Sequence, residues 1–313
     1  MAFPLDVAIM SLVRTPVGRA LKGTLRSTRP DDLAATVVTE AIRRVPGLAP
    51  EDVEDIVLGC AMPEAEQGLN VARNVVFLAG LPNTVCGETI NRFCSSGLQA
   101  IAHAALAVHA GLQDVVLAGG VESMSMVPMG GNKVSLNPKL VDRFPEGYIA
   151  MGHTAERIAA RFSVTRAEQD AFAVRSHERA LAAIAAGRFG DEIVPVRARV
   201  FEAGHAAEID FTIDECPRAG TTLDVLAKLK PVFKKNGSVT AGNSSPLNDG
   251  AAAAIVLSNR KLAELGAKPL ARLRGFAVAG VDPDIMGIGP VPAIRKLLQQ
   301  TDLTLSDIDL FEI

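Results

Sequence analysis

Thr84-Val85-Cys86-Gly87-Glu88-Thr89-Ile90, followed at once by Asn91-Arg92-Phe93-Cys94-Ser95-Ser96-Gly97-Leu98-Gln99-Ala100, is the stretch that decides how this chain is read. Residues 84–90 lean towards β-structure, and residues 98–108 have the Ala/Leu content and apolar spacing of a helix. A cysteine therefore stands where a strand feeds a helix. Helix N-termini present free N–H groups and the positive end of the dipole, a setting that favours thiolates. Ser95, Ser96 and Gly97 are small, which leaves room for an acyl group to reach the sulfur. This is how a nucleophile for acyl transfer is mounted. A buried structural cysteine fits the same junction, because free Cys is often buried, so the junction alone leaves both readings open.

Outward from this junction the first 120 residues alternate strands and helices. Strands are expected at 7–11, 53–60, 85–90 and 114–119, and helices at 31–45, 69–79 and after Cys94. The first of these helices opens on Pro30-Asp31-Asp32, which places acidic residues at its positive end. Strands separated by helices imply an α/β fold with a largely parallel sheet. Residues 121–247 differ: a Met/Gly/Pro/Asn-rich loop at 124–138 precedes amphipathic helices at 154–162 and 165–187. The second of these opens on Thr165-Arg166-Ala167-Glu168, a capping box. This region reads as a mostly helical, loop-rich insertion, after which Gly250-Ala251-Ala252-Ala253-Ala254-Ile255-Val256-Leu257 returns to buried-strand character. The organisation expected is a first half over 1–120 and 248–268, an inserted domain over 121–247, and a second half beginning at 269–313.

Composition narrows the function classes. The chain has 313 residues, 48% hydrophobic and 21% charged, which fits a globular protein of about two domains. A net charge of −3 carries no electrostatic footprint for nucleic acid. The N-terminal run Met1-Ala2-Phe3-Pro4-Leu5-Asp6-Val7 has no basic region ahead of a long apolar stretch, so no secretory signal is expected. Nor does any run have the length of a membrane span, and a cytoplasmic location follows as the expectation. Cys60, Cys86, Cys94 and Cys216 form no CxxC pair and no His cluster accompanies them, so neither a metal site nor a disulfide is expected. Cys60, Cys86 and Cys216 read as ordinary core or loop residues.

A faint repeat is present. Leu48-Ala49-Pro50-Glu51-Asp52-Val53-Glu54-Asp55-Ile56-Val57-Leu58 shares its pattern with Leu303-Thr304-Leu305-Ser306-Asp307-Ile308-Asp309-Leu310-Phe311-Glu312-Ile313. Each follows a helix (31–45 and 291–300), and each helix follows a strand-like run (7–11 and 270–278). Two similar halves account for this, as does ordinary α/β alternation. If the repeat is real, the chain ends within a strand and its second half lacks roughly 65 to 85 residues.

The motifs together carry a resemblance. They are Arg14-Thr15-Pro16-Val17-Gly18, the run around Cys94, Gly119-Gly120-Val121-Glu122-Ser123-Met124-Ser125 and Met151-Gly152-His153-Thr154-Ala155-Glu156. Thr240-Ala241-Gly242-Asn243-Ser244-Ser245-Pro246-Leu247-Asn248-Asp249-Gly250, Gly287-Ile288-Gly289-Pro290-Val291-Pro292 and the closing Asp309-Leu310-Phe311-Glu312-Ile313 continue the series. In order and spacing they resemble the thiolase family, above all the degradative 3-ketoacyl-CoA thiolases of fatty-acid β-oxidation. The resemblance implies a thiolase-like α/β fold: two repeated halves in αβαβα layers with an inserted loop domain, here with an incomplete second half. It implies an acyltransferase in which Cys94 takes the acyl group and its backbone N–H serves an oxyanion hole. On the same basis Arg218 lies against the nucleotide end of coenzyme A and Ser245 bonds the pantetheine arm. Met151, Phe233, Ala241 and Leu247 line that arm. A solvated loop arginine is the alternative account of Arg218. Lys228, Lys230, Lys234 and Lys235 either attract the phosphates or form a solvated basic face. Coenzyme A is a substrate, so no separate cofactor is implied; the expected partners are CoA and acyl-CoA, and the full-length assembly is a homodimer or homotetramer, with the 124–138 loop a candidate interface.

Three parts of the family pattern do not occur in the 313 residues: Asn-Glu-Ala-Phe, Gly-His-Pro and Cys-x-Gly. By resemblance these supply a water-holding Asn, the base that activates the nucleophile, and an acid/base Cys. His103 and His109 lie six residues apart and share no helix face, while His177 and His205 read as surface residues. His153, in a pocket-side loop, is the best of the remainder. Two alternatives stand beside a degradative thiolase: a biosynthetic acetoacetyl-CoA thiolase and a non-catalytic CoA-binding remnant. Phe93 and Ser95 beside the cysteine favour the degradative group.

Overall fold

The computed structural model describes residues 5–202 and 205–312; the run read for a signal starts outside this set, and Ile313 lies outside it too. The strands in chain order are β1 (Val7–Arg14), β2 (Gly18–Arg19), β3 (Asp55–Gly59), β4 (Cys86–Ile90), β5 (Val115–Ser123), β6 (Val196–Glu202), β7 (His205–Phe211), β8 (Asn248–Leu257) and β9 (Ala271–Leu273). The α-helices are α1 (Pro30–Arg43), α2 (Val71–Leu78), α3 (Ser96–His109), α4 (Pro138–Arg143), α5 (Met151–Arg161), α6 (Arg166–Ala185), α7 (Leu223–Ala227), α8 (Asn259–Glu264) and α9 (Pro290–Thr301).

One sheet runs β4-β3-β5-β8-β1-β9, with β2 added on β8. Successive residues point to opposite faces, and the burial divides accordingly. Ile56, Leu58, Leu117, Ile255 and Leu257 pack with Val37, Val38 and Ala41 of α1 and with Val75 of α2. On the other face Val57, Val116, Ala118 and Val256 meet Ala100, Ala104, Ala105 and Val108 of α3. Each buried Val of this kind contributes about 1.5–3 kcal/mol.

The sheet is mixed, a correction to the largely parallel one expected. β3 is parallel to β4 and β5, whereas β5–β8, β1–β8, β1–β9 and β2–β8 are antiparallel. A parallel partner needs a crossover that carries the chain back to the strand's starting end. Here the chain leaves β5 at Ser123 and re-enters β8 beside it, Ser123 pairing with Asp249, so β8 must run the other way. The segment between holds α4 to α7 and a hairpin of β6 and β7 that the helical reading passed over. Its signal is present in the alternation of buried Val196, Ala198 and Val200 with exposed Arg197 and Arg199.

Arg14, at the end of β1, fastens this segment to the sheet. Its guanidinium holds Asp214 at 2.8 and 3.0 Å and Glu192 at 2.6 Å. Asp214 also accepts the Val17 N–H (2.7 Å), and Glu215 accepts those of Arg19 and Thr24 (both 2.9 Å). A second tie runs from α1: Glu40 pairs with Arg43 and Arg44 at 2.6 and 2.7 Å, and Arg44 reaches the Asp191 carbonyl.

The repeat has a geometric counterpart. In the turn at Pro50–Asp52 the Asp52 carboxylate accepts the Ala49 N–H at 2.9 Å, and at Leu305–Asp307 Asp307 accepts the Thr304 N–H at 2.8 Å. The elements that follow differ. The strand expected at 270–278 shortens to β9, and residues 308–312 form none, because no described strand offers them a hydrogen-bonding partner.

Two outcomes follow from this packing. A Cβ on Gly59 would meet the Ser96 backbone and lie 2.6 Å from the Gly97 nitrogen, so Gly59→Ala lowers stability by about 1–3 kcal/mol; an unchanged urea midpoint would contradict the close approach of α3. The hydrogen bond from Arg43, joined by that from Arg44, holds the Glu40 carboxyl down to about 2, against 4.5 for the unfolded chain. The folded value is the lower one, so this stabilisation is present above the unfolded value and is lost as pH falls through the folded one. Glu40→Gln accordingly melts below the parent protein near neutral pH, and the gap between the two melting temperatures closes as the pH approaches 2.

Candidate active site

Strands β3, β4 and β5 run in one direction and end together, and ligands of α/β sheets bind beyond such carboxyl ends. The Cys60 N–H donates to the Ile90 carbonyl (3.0 Å), keeping the exits of β3 and β4 side by side. From Ile90 the chain turns sharply into α3. Phe93 takes a left-handed conformation with φ of 47°, which is strained for a residue with a bulky side chain. The turn is held locally: the Phe93 N–H donates to Asn91 Oδ1 (2.8 Å), and the Ser96 hydroxyl accepts from the Arg92 N–H (2.8 Å) while donating to the Phe93 carbonyl (2.6 Å). The result is a strained strand–turn–helix mount of the kind that presents a nucleophile above a sheet.

Cys94 follows Phe93 in this turn and is exposed, with Ser95 as the helix N-cap residue. Small residues bring the mount onto the sheet. A Cβ on Gly120 would lie 3.5 Å from the Gly97 Cα and 3.2 Å from the Gly59 carbonyl oxygen. Asn91 and Ser96 belong to the quoted motif, yet no hydrogen-bonding role was expected of either; an Asn two residues before a strained position is the signal of an Asx turn.

The remaining cysteines differ in setting. Cys60 is buried, and burial, reinforced by the Glu122 charge, pushes its thiol up to about 12. Burial likewise raises that of half-buried Cys216, while Cys86 is exposed on the edge strand β4. Among the described residues no histidine is hydrogen-bonded to Cys94. His103, His109 and His205 are exposed. His177 Nδ1 accepts the Arg218 N–H (3.1 Å), and His153 meets Phe233 edge-on at 5.9 Å between ring centres.

The residues implied for coenzyme A fall on the inserted segment and the loop entering β8. Met151 and His153 open α5 against Phe233, and Gly152 packs directly on the Phe233 ring, where a Cβ would not fit. Ala241 and Ser245 lie on the loop that leads into β8, and Leu247, just before the strand, accepts the Ala20 N–H (2.9 Å). That loop is rigidly seated. Glu156 accepts the Ser238 and Val239 N–H groups (2.9 and 2.8 Å), and Asn243 bridges Asp170 (2.9 Å) and the Ser238 carbonyl (3.0 Å). Burial acts to raise the Glu156 carboxyl, but the Val239 and Ser238 donors outweigh it and hold it below the ordinary range. Met151, Phe233 and Leu247 stay partly exposed at 47, 38 and 41%, and Arg218 and Ser245 are exposed. Because β8 starts opposite the end of β5, this loop and Cys94 share one end of the sheet.

Two surface cavities lie elsewhere: one of about 290 Å³ beside Phe189 and Ile213, the other of about 620 Å³ beside Phe162 and Phe172. Neither is lined by Cys94. With iodoacetamide at neutral pH, peptide mass spectrometry should find Cys86 and Cys94 modified and Cys60 spared; modification of Cys60 in the folded protein at a comparable rate would contradict its burial.

The chain is similar to known proteins along nearly its whole length. The family model "Thiolase, N-terminal domain" matches residues 7–260 and "Thiolase, C-terminal domain" matches residues 267–313. A 3-ketoacyl-CoA thiolase of Bacillus subtilis (strain 168) is 50% identical over 313 residues, covering 98% of this chain and 80% of its own. Another, of Marinomonas sp. (strain MWYL1), is 45% identical over 314 residues, covering 99% and 78%. The crystal structure of the Bacillus anthracis acetyl-CoA acetyltransferase superposes with a TM-score of 0.87 at 44% identity, covering 99% of this chain and 80% of that one. The matches run along 98 or 99% of this chain, which spans 78 to 80% of the length of these three proteins.

Proposed function

Because the chain belongs to the thiolase family, we propose that it is a CoA-dependent acyltransferase that cleaves 3-ketoacyl-CoA through an acyl-enzyme on Cys94. The observation that carries the assignment of Cys94 is its exposed place in the strained turn ahead of α3. The thiolate adds to the ketone carbon, and the resulting oxyanion collapses. The carbon–carbon bond on its CoA side breaks, its electron pair passes to the enolate of acetyl-CoA, and a proton completes that product. The acyl chain is then a thioester of Cys94. Attack by the thiolate of a second CoA transfers it and frees the cysteine. Splitting the cleavage into two transfers is covalent catalysis.

The Cys94 N–H would serve as an oxyanion donor for the tetrahedral intermediates. Arg218 would stack on or bond the nucleotide end of CoA, Ser245 the pantetheine arm, and Met151, Phe233, Ala241 and Leu247 would line it. The reading needs no separate cofactor. It includes a homo-oligomeric assembly and a cytoplasmic setting; no helix among the described residues is long and apolar enough to cross a membrane.

The name of the solved relative, an acetyl-CoA acetyltransferase, favours a second reading in which the same cysteine serves acetyl transfer. Turnover on acetoacetyl-CoA against medium-chain 3-ketoacyl-CoA separates the two. In the deciding experiment the purified protein is mixed with a medium-chain 3-ketoacyl-CoA and CoA. Ping-pong kinetics and an acyl adduct on Cys94 are expected, with Cys94→Ala losing about a thousandfold or more of the rate. Turnover that survives in Cys94→Ala would overturn the assignment.

A further inference from the structure

The left-handed turn before Cys94 is tied to the sheet by more than its own hydrogen bonds. The Asn91 amide accepts the Phe93 N–H through Oδ1 and donates through Nδ2 to the Ala61 carbonyl (2.9 Å). Ala61 is in turn held by a carboxylate from another strand. Glu122, near the end of β5, accepts the Ala61 N–H (2.6 Å) and the Met62 N–H (3.3 Å). The Gln67 amide completes the arrangement: Nε2 donates to Glu122 and to the Met62 carbonyl (2.9 Å), and Oε1 accepts the Ser123 N–H (3.0 Å). Gln67 is fully buried. An unbroken series of hydrogen bonds therefore runs from the end of β5, through residues 61–62, to the strained residue that precedes the sulfur.

We propose that Glu122 and Asn91 are positioning residues for the Cys94 nucleophile, holding the residue before it in its strained conformation through Ala61. The inference rests on the reading of Cys94 as the acyl carrier. Strained backbone persists only where its surroundings over-determine it; here the local Asx turn supplies one constraint and the Ala61 carbonyl a second. Without the second, Asn91 can rotate away, the turn relaxes, and the sulfur leaves its place at the head of α3. Among the described residues Glu122 makes no hydrogen bond to Cys94 or to the turn; it acts by fixing where the Ala61 carbonyl points. Glu122→Gln keeps the side chain's size but sets an NH₂ against N–H donors, so one of the loop's bonds is lost.

The test uses three variants, Glu122→Gln, Asn91→Ala and Asn91→Asp, and three measurements: melting temperature, kcat and KM for thiolysis, and the ratio of Cys94 to Cys86 alkylation rates in one molecule. Cys86 is an internal control on β4, outside the turn. The expected result is a fall of about tenfold or more in the ratio and in kcat for all three, with KM for CoA little changed. Asn91→Asp retains the acceptor for Phe93 but loses the donor to Ala61, so it must behave like Asn91→Ala. Parent-like behaviour of Asn91→Asp would overturn the relay, as would a ratio and kcat within about twofold of the parent for Glu122→Gln while its melting temperature drops. Asn91 is exposed, so its variants decide the question even if Glu122→Gln does not fold. A parent protein that never acylates, yet shows the fall in ratio, would retire the acyltransferase reading and leave the positioning role standing.

Discussion

The closeness with which α3 lies on the sheet governs the rest of the molecule. Gly59 removes the side chain that would otherwise hold the first turn of α3 away from the end of β3, and a Cβ on Gly120 of β5 would lie 3.5 Å from the Gly97 Cα. Alanines continue the contact along the helix, where Ala100, Ala104 and Ala105 face valines of the sheet. Packed interiors respond to changes of a single methylene, so this seam sets the height of Cys94 above the strands as well as stability. The strain at Phe93 follows from the same closeness. A chain that leaves β4 and must start a helix almost in contact with β3 has little room to turn, and the left-handed residue is how it does so.

The inserted segment poses a different problem, that of holding a run of loops against the sheet. Its fastening points are ionic and backbone-directed: Arg14 to Asp214 and Glu192, Glu215 to the loop after β2, and Glu156 to residues 238–239. The side chains of Arg14 and Asp214 are 22% and 13% exposed, so removing one partner leaves a largely buried charge and costs several kcal/mol, about 3–5. Loops need such anchoring because few apolar contacts hold them, and Phe233, Ala241 and Ser245, among the residues implied for coenzyme A, lie on loops of this segment.

Much of this was legible beforehand, for identifiable reasons. Periodicity gave α1, α3 and α6, and the capping box at Thr165 and Glu168 was read correctly, with Glu168 Oε2 accepting the Thr165 N–H at 2.7 Å. The direction of β8 was not legible. It depends on which end of the sheet the chain re-enters after residue 247, and no local pattern encodes that. The β6–β7 hairpin was legible in principle but was obscured by the helices before it. At the site, Cys94 was conspicuous from its neighbours, whereas Glu122 and Ala61 matter through contacts 61 positions apart. Motif reading flagged the Glu122 run without suggesting what it holds. The expected closing strand failed because strands are properties of pairs, and residues 308–312 have no described partner.

The two ends of the inserted segment emerge as directly paired neighbours, Ser123 opposite Asp249. Geometrically, everything between them is one oversized hairpin loop, and the strands on either side remain in register whatever its length. Loop-closure entropy rises only with the logarithm of loop size, so lengthening or exchanging such a segment costs the sheet little. The architecture thereby separates two kinds of inheritance. The seam beneath Cys94 admits little change at Gly59, where a Cβ would strike the Ser96 backbone. The inserted segment can change in length or sequence without disturbing the pairing beneath it.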